Sequence, residues 1–146
     1  MPIEPEITEF IQEHHVMTLA TNNGEQPYCA SVFYAFAPEG GDFIFLSDRA
    51  TRHGWEMAAN PLAAAAIHTE TLEVSAIQGV QITGTITELS LDGEGDEYRE
   101  LYYNAFPFAR NADSVFWTLR AEFIKMTDNR VAFGYKRTWK NNTKRQ

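Results

Sequence analysis

The chain is 146 residues long and carries a formal net charge of −8 at pH 7. This length suits one domain with a hydrophobic core, and 44% hydrophobic with 22% charged residues is ordinary for a globular protein. The acidic balance argues against nucleic acid as the main partner, and no apolar run reaches the roughly 18 residues of a membrane span.

The two ends of the chain differ in charge. Residues 1–6 are acidic and lack the basic-then-apolar layout of a secretory signal, and the single cysteine, Cys29, has no internal partner for a disulfide. Both observations favour the cytoplasm. Residues 136–146 hold five basic and no acidic residues, which predicts a basic C-terminal tail after a single domain over 1–135. We expect its last few residues to be disordered, whereas 136–139 either stay solvated or fold back onto the domain.

The first part of the chain predicts a short helix followed by an antiparallel meander. Ile7, Phe10 and Ile11 recur at helical spacing and form one apolar face. Turn clusters around Asn23-Gly24 and Gly40-Gly41 separate β-prone runs. These runs predict strands over 16–21, 28–36 and 42–46.

The middle of the chain contains one ambiguous segment. Residues 52–59 predict a short helix, which Asn60 and Pro61 end. Alanines in 62–69 favour a helix by propensity. Pro61 and the need for a partner to the preceding strand favour a buried strand instead, and we predict a strand.

The last part of the chain completes the predicted sheet. Gly79 and Gly84 predict bulges or close backbone approaches within a long strand. The predicted elements are a strand over 77–89, an acidic helix over 91–104, and strands over 115–121, 123–127 and 131–135. The sum predicts the α+β class, as a small antiparallel six- or seven-stranded β-barrel, closed or split, with two or three peripheral helices.

One stretch carries a candidate binding site. Ser47, Arg49, Thr51 and Arg52 follow the third strand and lead into the helix over 52–59. Hydroxyls, guanidinium groups and a helix N-terminus together suit a phosphate ester of a small cofactor. The alternative is that the charges are solvated and Thr51 only caps the helix. No glycine-rich loop is present, so neither a P-loop nor a Rossmann fingerprint is indicated.

The order of short motifs resembles a known family over nearly the whole chain. This order is similar to that of the FMN-binding split barrels related to pyridoxamine-phosphate oxidase. It runs from Pro27-Tyr28 with Val32, through 45–53 with Thr51-Arg52-His53, to Asn60-Pro61. The chain most resembles the uncharacterised YhbP-like family among them. The shared residues are Phe33-Tyr34, Thr51-Arg52-His53, residues 78–81, Phe106-Pro107 with Ala109-Arg110, Lys125 with 127–129, and Phe133-Gly134.

The resemblance implies a split barrel with an FMN site shared between the two subunits of a homodimer. It places the FMN phosphate at Ser47, Thr51, Arg52 and His53. It places the flavin ring along the second strand, at Ala30, Ser31 and Val32, and adds Leu46 and Gln78 to the same pocket. Haem or another flavin is the alternative cofactor.

Departures from the oxidase argue against its own reaction. The resemblance matches Ala30 to an arginine, Ala35 to a lysine and His53 to the second phosphate lysine. The C-terminal arginine-and-histidine substrate motif has no counterpart in this tail. Pyridoxamine-phosphate oxidation is therefore not expected, and no catalytic side chain is assigned because the cofactor carries the hydride chemistry.

Several functions stay open from sequence alone. The first is an FMN-dependent oxidoreductase acting on a small molecule, and the second is a non-catalytic flavin- or haem-binding carrier or sensor. A barrel without a cofactor is the third. The spacing of the histidines predicts no metal site. Six aromatic residues fit either a pocket over the flavin or the core and dimer interface: Tyr102, Tyr103, Phe106, Phe108, Trp117 and Trp139.

Overall fold

The computed structural model describes residues 1–90, 93–111 and 114–142. Its α-helices are α1 Pro5–Glu13, α2 Arg52–Ala59 and α3 Asp96–Ala105. Its strands are β1 Val16–Asn22, β2 Pro27–Phe33, β3 Ala35–Ala37, β4 Asp42–Ser47, β5 Leu62–His68, β6 Gln78–Glu88, β7 Val115–Asp128 and β8 Lys136–Lys140. None of the described helices is long and apolar enough to cross a membrane.

All strand pairs are antiparallel, and seven strands follow one path in the order β2-β1-β5-β6-β7-β4-β3. The eighth strand, β8, pairs with β7 off this path. One edge of β7 follows β6 along its length, while its other edge pairs first with β4 and then with β8. The predicted α+β split barrel with peripheral helices is confirmed.

The barrel is open between β2 and β4, and we call this opening the split. Among the strands that the structure describes, β2 pairs only with β1. The last three residues of β4, 45–47, pair with β7 but lie beyond the stretch paired with β3. Cα atoms of β2 and β4 approach within 8 Å, and α2 packs on β1 and β2. Within the described residues, the outer edge of β2 and the end of β4 therefore line the split without a strand partner.

Two apolar clusters hold the sheet in shape. Alternating side chains of the strands fill the barrel interior together with α1, including Phe10, Leu19, Phe43, Phe45 and Leu119. A second cluster lies on the other face of β4, beneath α3, and includes Ile44, Tyr102, Phe106 and Phe116. β4 is thus packed on both faces, and it ends at Ser47, the start of the candidate site.

The structure differs from the strand predictions at Tyr34 and over 131–135. The strand predicted over 28–36 is interrupted at Tyr34, whose N–H donates to His15 O (3.0 Å) and whose hydroxyl donates to Ile11 O (2.6 Å). These bonds turn the chain from β2 into β3. The segment over 131–135 is a turn rather than a strand, because Gly134 has a φ of +74° and donates to Asn129 Oδ1 at 2.9 Å.

The strand that pairs back onto β7 lies further along the chain, in the basic segment that begins at residue 136. β8 occupies the first five residues of the predicted tail, and the Trp139 indole donates to Met1 O at 3.0 Å. This is the folded-back alternative for 136–139. The predicted disorder of the last few residues concerns 143–146, which lie outside the described residues.

Gly84 marks the close approach expected from sequence. The register of β6 and β7 shifts after Thr83, leaving Glu122 as the extra residue of a bulge. A Cβ on Gly84 would stand 2.1 Å from Arg120 O. We expect Gly84→Ala to lower the free energy of unfolding by about 1–3 kcal/mol, because the two strands must separate. Urea unfolding measures the loss.

Gly93→Ala is the matched control for this prediction. A Cβ on Gly93 would meet only Asp96 Oδ2, at an ordinary 3.7 Å. We expect the midpoint of urea unfolding to stay close to that of the unmodified protein. Equal stability of the two variants would contradict the close approach at Gly84.

Candidate functional site

Polar side chains converge where β4 ends and α2 begins. Ser47 Oγ lies 2.7 Å from His53 Nε2 and 3.3 Å from Thr51 Oγ1. Arg52 is the first residue of α2, between Thr51 and His53. We call Ser47, Thr51, Arg52 and His53 the α2 cluster. Of the four residues that the resemblance assigns to a phosphate, the structure joins Ser47, Thr51 and His53 by side-chain contacts, and Arg52 lies between the last two at the start of α2.

Thr51 is the N-cap of α2. Its Oγ1 accepts from Gly54 N at 3.1 Å and donates to Asp48 O at 2.8 Å. The helix cap considered from sequence is therefore present, and the cap itself aligns the first turn of α2 with Ser47. The first-turn N–H groups of a helix have no intrahelical acceptor and attract anions.

The loop before α2 is tightly packed. A Cβ on Gly54 would lie 2.2 Å from Asp48 O, so only glycine fits there. The Trp117 indole donates to Ser47 O at 3.1 Å, and Asp48 Oδ1 accepts from Ala50 N at 2.8 Å. These contacts hold the backbone that carries the hydroxyls of Ser47 and Thr51.

The guanidinium of Arg52 rests against β2. It lies 4.2 Å above the centre of the Tyr28 ring, and Arg52 Nε is 3.5 Å from Glu56 Oε2. The Arg52 side chain remains 41% exposed, whereas that of Glu56 is fully buried. Sequence reasoning missed both Tyr28 and Glu56. The i,i+4 spacing of Arg52 and Glu56 was the available signal for the latter.

Arg49 does not join the α2 cluster. Its guanidinium pairs with Glu88 at the end of β6, and its Nε donates to Glu88 Oε1 at 2.7 Å. The expectation that Arg49 adds another donor for the anion is therefore not supported by its position.

His53 is half-buried, and its surroundings affect its charge. Burial lowers the pKa of the His53 imidazole below its ordinary 6.5, and the nearby Glu56 carboxylate opposes this shift. The neutral ring is thus favoured near pH 7, in hydrogen-bond contact with Ser47. A neutral imidazole offers its neighbours one hydrogen-bond donor and one acceptor.

This lowered pKa has a consequence for stability. The folded protein binds fewer protons at His53 than the unfolded chain, so the stabilisation is complete above pH 6.5 and is lost as pH falls through the lowered pKa. We expect His53→Gln to lose less stability than the unmodified protein between pH 7.5 and pH 5. Urea unfolding across this range measures the slopes. A slope for His53→Gln that matches that of the unmodified protein would contradict the effect of burial on His53.

The residues assigned to the ring lie on two faces of β2. Ala30 and Val32 stand opposite Leu19 and Met17 of β1 and share their inward face with Tyr28. Ser31 lies on the other face of the strand, so only its backbone shares the edge with Ala30 and Val32.

Leu46 lies beside Ser47 but on the opposite face of β4. Its side chain packs against the cluster beneath α3. Its backbone nevertheless belongs to the last three residues of β4, which lie beyond the stretch paired with β3.

Gln78 is not near the α2 cluster within one chain. It begins β6, whereas Glu88, the partner of Arg49, ends the same strand ten residues later. At about 3.3 Å per residue, the two ends are roughly 33 Å apart. Gln78 lies instead beside Asp128 and Arg130. Its place in the site stays a prediction that needs a second chain.

Candidate metal ligands are dispersed in the part of the chain that the structure describes. Within these residues no group of three or more His, Cys, Asp or Glu side chains is placed to hold a metal ion. Three of the six aromatics belong to the core: Tyr102, Phe106 and Trp117 are almost fully buried, whereas Phe108 is 68% exposed.

Residues 3–128 match the model of the pyridoxamine 5'-phosphate oxidase family. A UPF0306 protein of Cronobacter sakazakii is 36% identical over 133 residues, which is 91% of this chain and 92% of that protein. The chain therefore belongs to the pyridoxamine 5'-phosphate oxidase family. Among its members, it is similar to the UPF0306 proteins, and the YhbP-like resemblance is confirmed.

Solved structures share the fold at low identity. A haem-binding protein from Mycobacterium smegmatis superimposes with a TM-score of 0.72 and 23% identity over 86% of this chain, which spans 52% of that longer protein. An FAD-binding protein from Mesorhizobium loti superimposes with a TM-score of 0.70 and 18% identity, covering 86% of this chain and 93% of its own. The fold thus occurs in proteins that bind haem and in proteins that bind a flavin.

Proposed function

We propose that this protein binds FMN in the split and acts as an FMN-dependent oxidoreductase on a small molecule. The FMN phosphate would lie at the α2 cluster and the flavin ring along β2. The observation that carries the proposal is the contact of Ser47 with Thr51 and His53 at the N-terminus of α2, whose first residue is Arg52, at one end of the split.

The donors of the α2 cluster fit a phosphate monoester. Such a group carries about −1.5 to −2 charge near neutral pH and accepts several hydrogen bonds. The Arg52 guanidinium, the Ser47 hydroxyl and the His53 imidazole are donors of different geometry around one helix N-terminus. A helix N-terminus with such donors is a recurrent phosphate site.

The strand beside the cluster fits a flat ring. β2 runs about 13 Å from Tyr28 to Val32, at roughly 3.3 Å per residue. The small side chain of Ala30 lies on the same face as Tyr28, and the outer edge of β2 is unpaired among the described strands. A planar ring can thus approach the backbone closely and accept or donate hydrogen bonds along the edge.

When bound, FMN supplies the hydride or electron transfer. The residues of this chain would bind its phosphate, orient the ring and exclude water on the side of β2. Ala30, Ala35 and His53 replace the charged residues of the oxidase, so we propose a substrate other than pyridoxamine phosphate. The cytoplasm is the proposed compartment, because the exposed thiol of Cys29 stays reduced there.

A comparison of FMN with riboflavin tests the binding proposal. The two ligands differ only in the phosphate, so their affinity ratio reports the contribution of the α2 cluster. We expect FMN to bind at least roughly a hundredfold tighter, since two charge-assisted hydrogen bonds contribute about 3 kcal/mol or more. Quenching of flavin fluorescence on titration gives both constants. Equal affinities would contradict a phosphate site.

A second assay separates an enzyme from a carrier. The FMN-loaded protein is mixed with NADH or NADPH without oxygen, and the flavin absorption is followed. Bleaching of the flavin absorption supports an oxidoreductase. A bound flavin that neither donor reduces favours the carrier or sensor.

We further propose a homodimer that shares the two FMN sites. The outward residues Ala20, Ala64 and Ala66 line a groove of about 430 Å³ on the outer sheet face, where small side chains permit close approach of a second sheet. A second chain is also the only route by which Gln78 would reach a flavin at the α2 cluster. Light scattering should give twice the 16.6 kDa mass of one chain. A monomer mass would contradict the dimer.

Haem is the second candidate ligand. The M. smegmatis structure shows that this fold accommodates haem in another protein. In this chain the exposed His15 ring stands edge-on to Phe106 at 6.3 Å, and the neighbouring Phe33 and Phe108 are 48% and 68% exposed. An imidazole beside an aromatic wall fits an axial haem ligand. Titration with haem, with His15→Ala as the matched variant, separates this ligand from FMN.

A further inference from the structure

Glu56 is a buried carboxylate without an evident structural role. Its side chain has no exposed surface. Oε1 accepts from Thr21 Oγ1 at 2.7 Å, while Oε2 accepts no hydrogen bond from the residues that the structure describes. The cation nearest to Oε2 is Arg52, whose Nε is 3.5 Å away.

The contacts of Glu56 and Arg52 are coupled through one pair of strand residues. Thr21 of β1 and Tyr28 of β2 stand opposite each other in the register. α2 places Glu56 on Thr21 and Arg52 on the ring of Tyr28. The guanidinium therefore lies on the ring of Tyr28, and its Nε faces the Glu56 carboxylate at ion-pair distance, 3.5 Å.

This arrangement leaves the two terminal nitrogens of Arg52 available to a ligand. Within the described part of the chain, no residue accepts a hydrogen bond from Arg52 Nη1 or Nη2. A guanidinium held at Nε presents these two donors as a fork, which matches two phosphate oxygens. The exposed fraction of Arg52 keeps the fork accessible.

Packing alone does not account for Glu56. A buried carboxylate with one hydroxyl donor and one cation at 3.5 Å recovers little of its desolvation cost, and replacing such a pair by apolar residues of similar volume is often neutral or stabilising. We infer that Glu56 is a positioning residue: it orients Arg52 for the phosphate of a flavin mononucleotide. The inference rests on the proposed FMN site.

The test is a double-mutant cycle with Glu56→Gln and Arg52→Ala. Glutamine keeps the size of Glu56 and an acceptor for Thr21, but removes the charge that holds Arg52. We expect Glu56→Gln to weaken FMN binding by roughly fivefold and to leave riboflavin binding unchanged. The cycle is measured at pH 8, where the lowered pKa of His53 keeps its ring neutral with or without the Glu56 carboxylate. In the Arg52→Ala background the same change should then have no further effect, because Glu56 acts through Arg52.

Glu122→Gln is the matched control. Glu122 also accepts a threonine hydroxyl, from Thr85 at 2.7 Å, but it is exposed and lies on β7. We expect FMN affinity to be unchanged in this variant. If Glu56→Gln does not fold, Thr21→Val takes its place in the cycle, since it removes the hydroxyl that holds Oε1.

The outcomes separate the two proposals. Equal binding of FMN and riboflavin by the unmodified protein would overturn the phosphate site. Tight FMN binding that Glu56→Gln leaves intact or strengthens would overturn the positioning role alone. If Glu56→Gln weakens riboflavin binding as much as FMN binding, or weakens FMN binding equally in the Arg52→Ala background, the effect is structural. Either result would also overturn the positioning role.

Discussion

Arg52→Ala is expected to weaken FMN binding by roughly a hundredfold and to leave riboflavin binding unchanged. Arg52 is the residue of the α2 cluster that carries a permanent charge, and its fork can make two hydrogen bonds to one phosphate. Each such bond to a charged group contributes about 1.5–3 kcal/mol. Arg52→Lys should recover part of the loss, because a lysine supplies the charge without the fork.

Arg49→Ala is the control for Arg52→Ala. It removes an arginine three positions earlier, whose partner is Glu88 rather than the α2 cluster. We expect its FMN affinity to match that of the unmodified protein. Flavin fluorescence titration of both variants decides the assignment. Unchanged FMN affinity in Arg52→Ala, or a similar loss in Arg49→Ala, would contradict the role given to Arg52.

Asp42→Ala is expected to have the largest effect on stability. Asp42 is 2% exposed and accepts from Arg120 Nε at 2.9 Å, from Arg120 Nη2 at 2.8 Å and from the hydroxyl of Tyr98. Burial and the Asp42 carboxylate raise the pKa of Tyr98, so the phenol remains a donor. The group joins β4, β7 and α3, and removing its carboxylate leaves both donors without their shared acceptor.

The expected cost of Asp42→Ala is about 3 kcal/mol of unfolding free energy, the lower end for a broken buried pair, since Arg120 is partly exposed. Urea unfolding measures it. Asp96→Ala, which removes an exposed partner of Arg99 at 3.1 Å, should cost less than about 1 kcal/mol. Similar costs for the two variants would contradict the importance of the buried group.

The strands could be predicted where local pattern and tertiary pairing agree. β5 was ambiguous by alanine content, and its pairing with both β1 and β6 decides in favour of a strand. β7 was predicted as two strands, over 115–121 and 123–127. The structure keeps one strand and accommodates Glu122 as a bulge opposite Gly84. The turn at Tyr34 depends on two distant acceptors and has no local signal.

The candidate site could be predicted in part for the same reason. Ser47, Thr51 and His53 lie within seven consecutive residues, so a strand, a loop and a helix suffice to bring them together. Glu56 acquires its role through Thr21, which is 35 residues away in the chain, and this contact depends on the packing of α2 on β1. Such contacts follow from the folded sheet rather than from local spacing.

FMN binding in the split is tested by the absorption spectrum of the purified protein, after mixing with a slight excess of FMN and desalting. We expect retained flavin bands at about 370 and 450 nm, which Arg52→Ala should lose on the same column. A retained band near about 400 nm after equal exposure to haem, without flavin bands, would contradict the FMN site in favour of haem. Retention of neither chromophore would contradict cofactor binding in the split altogether.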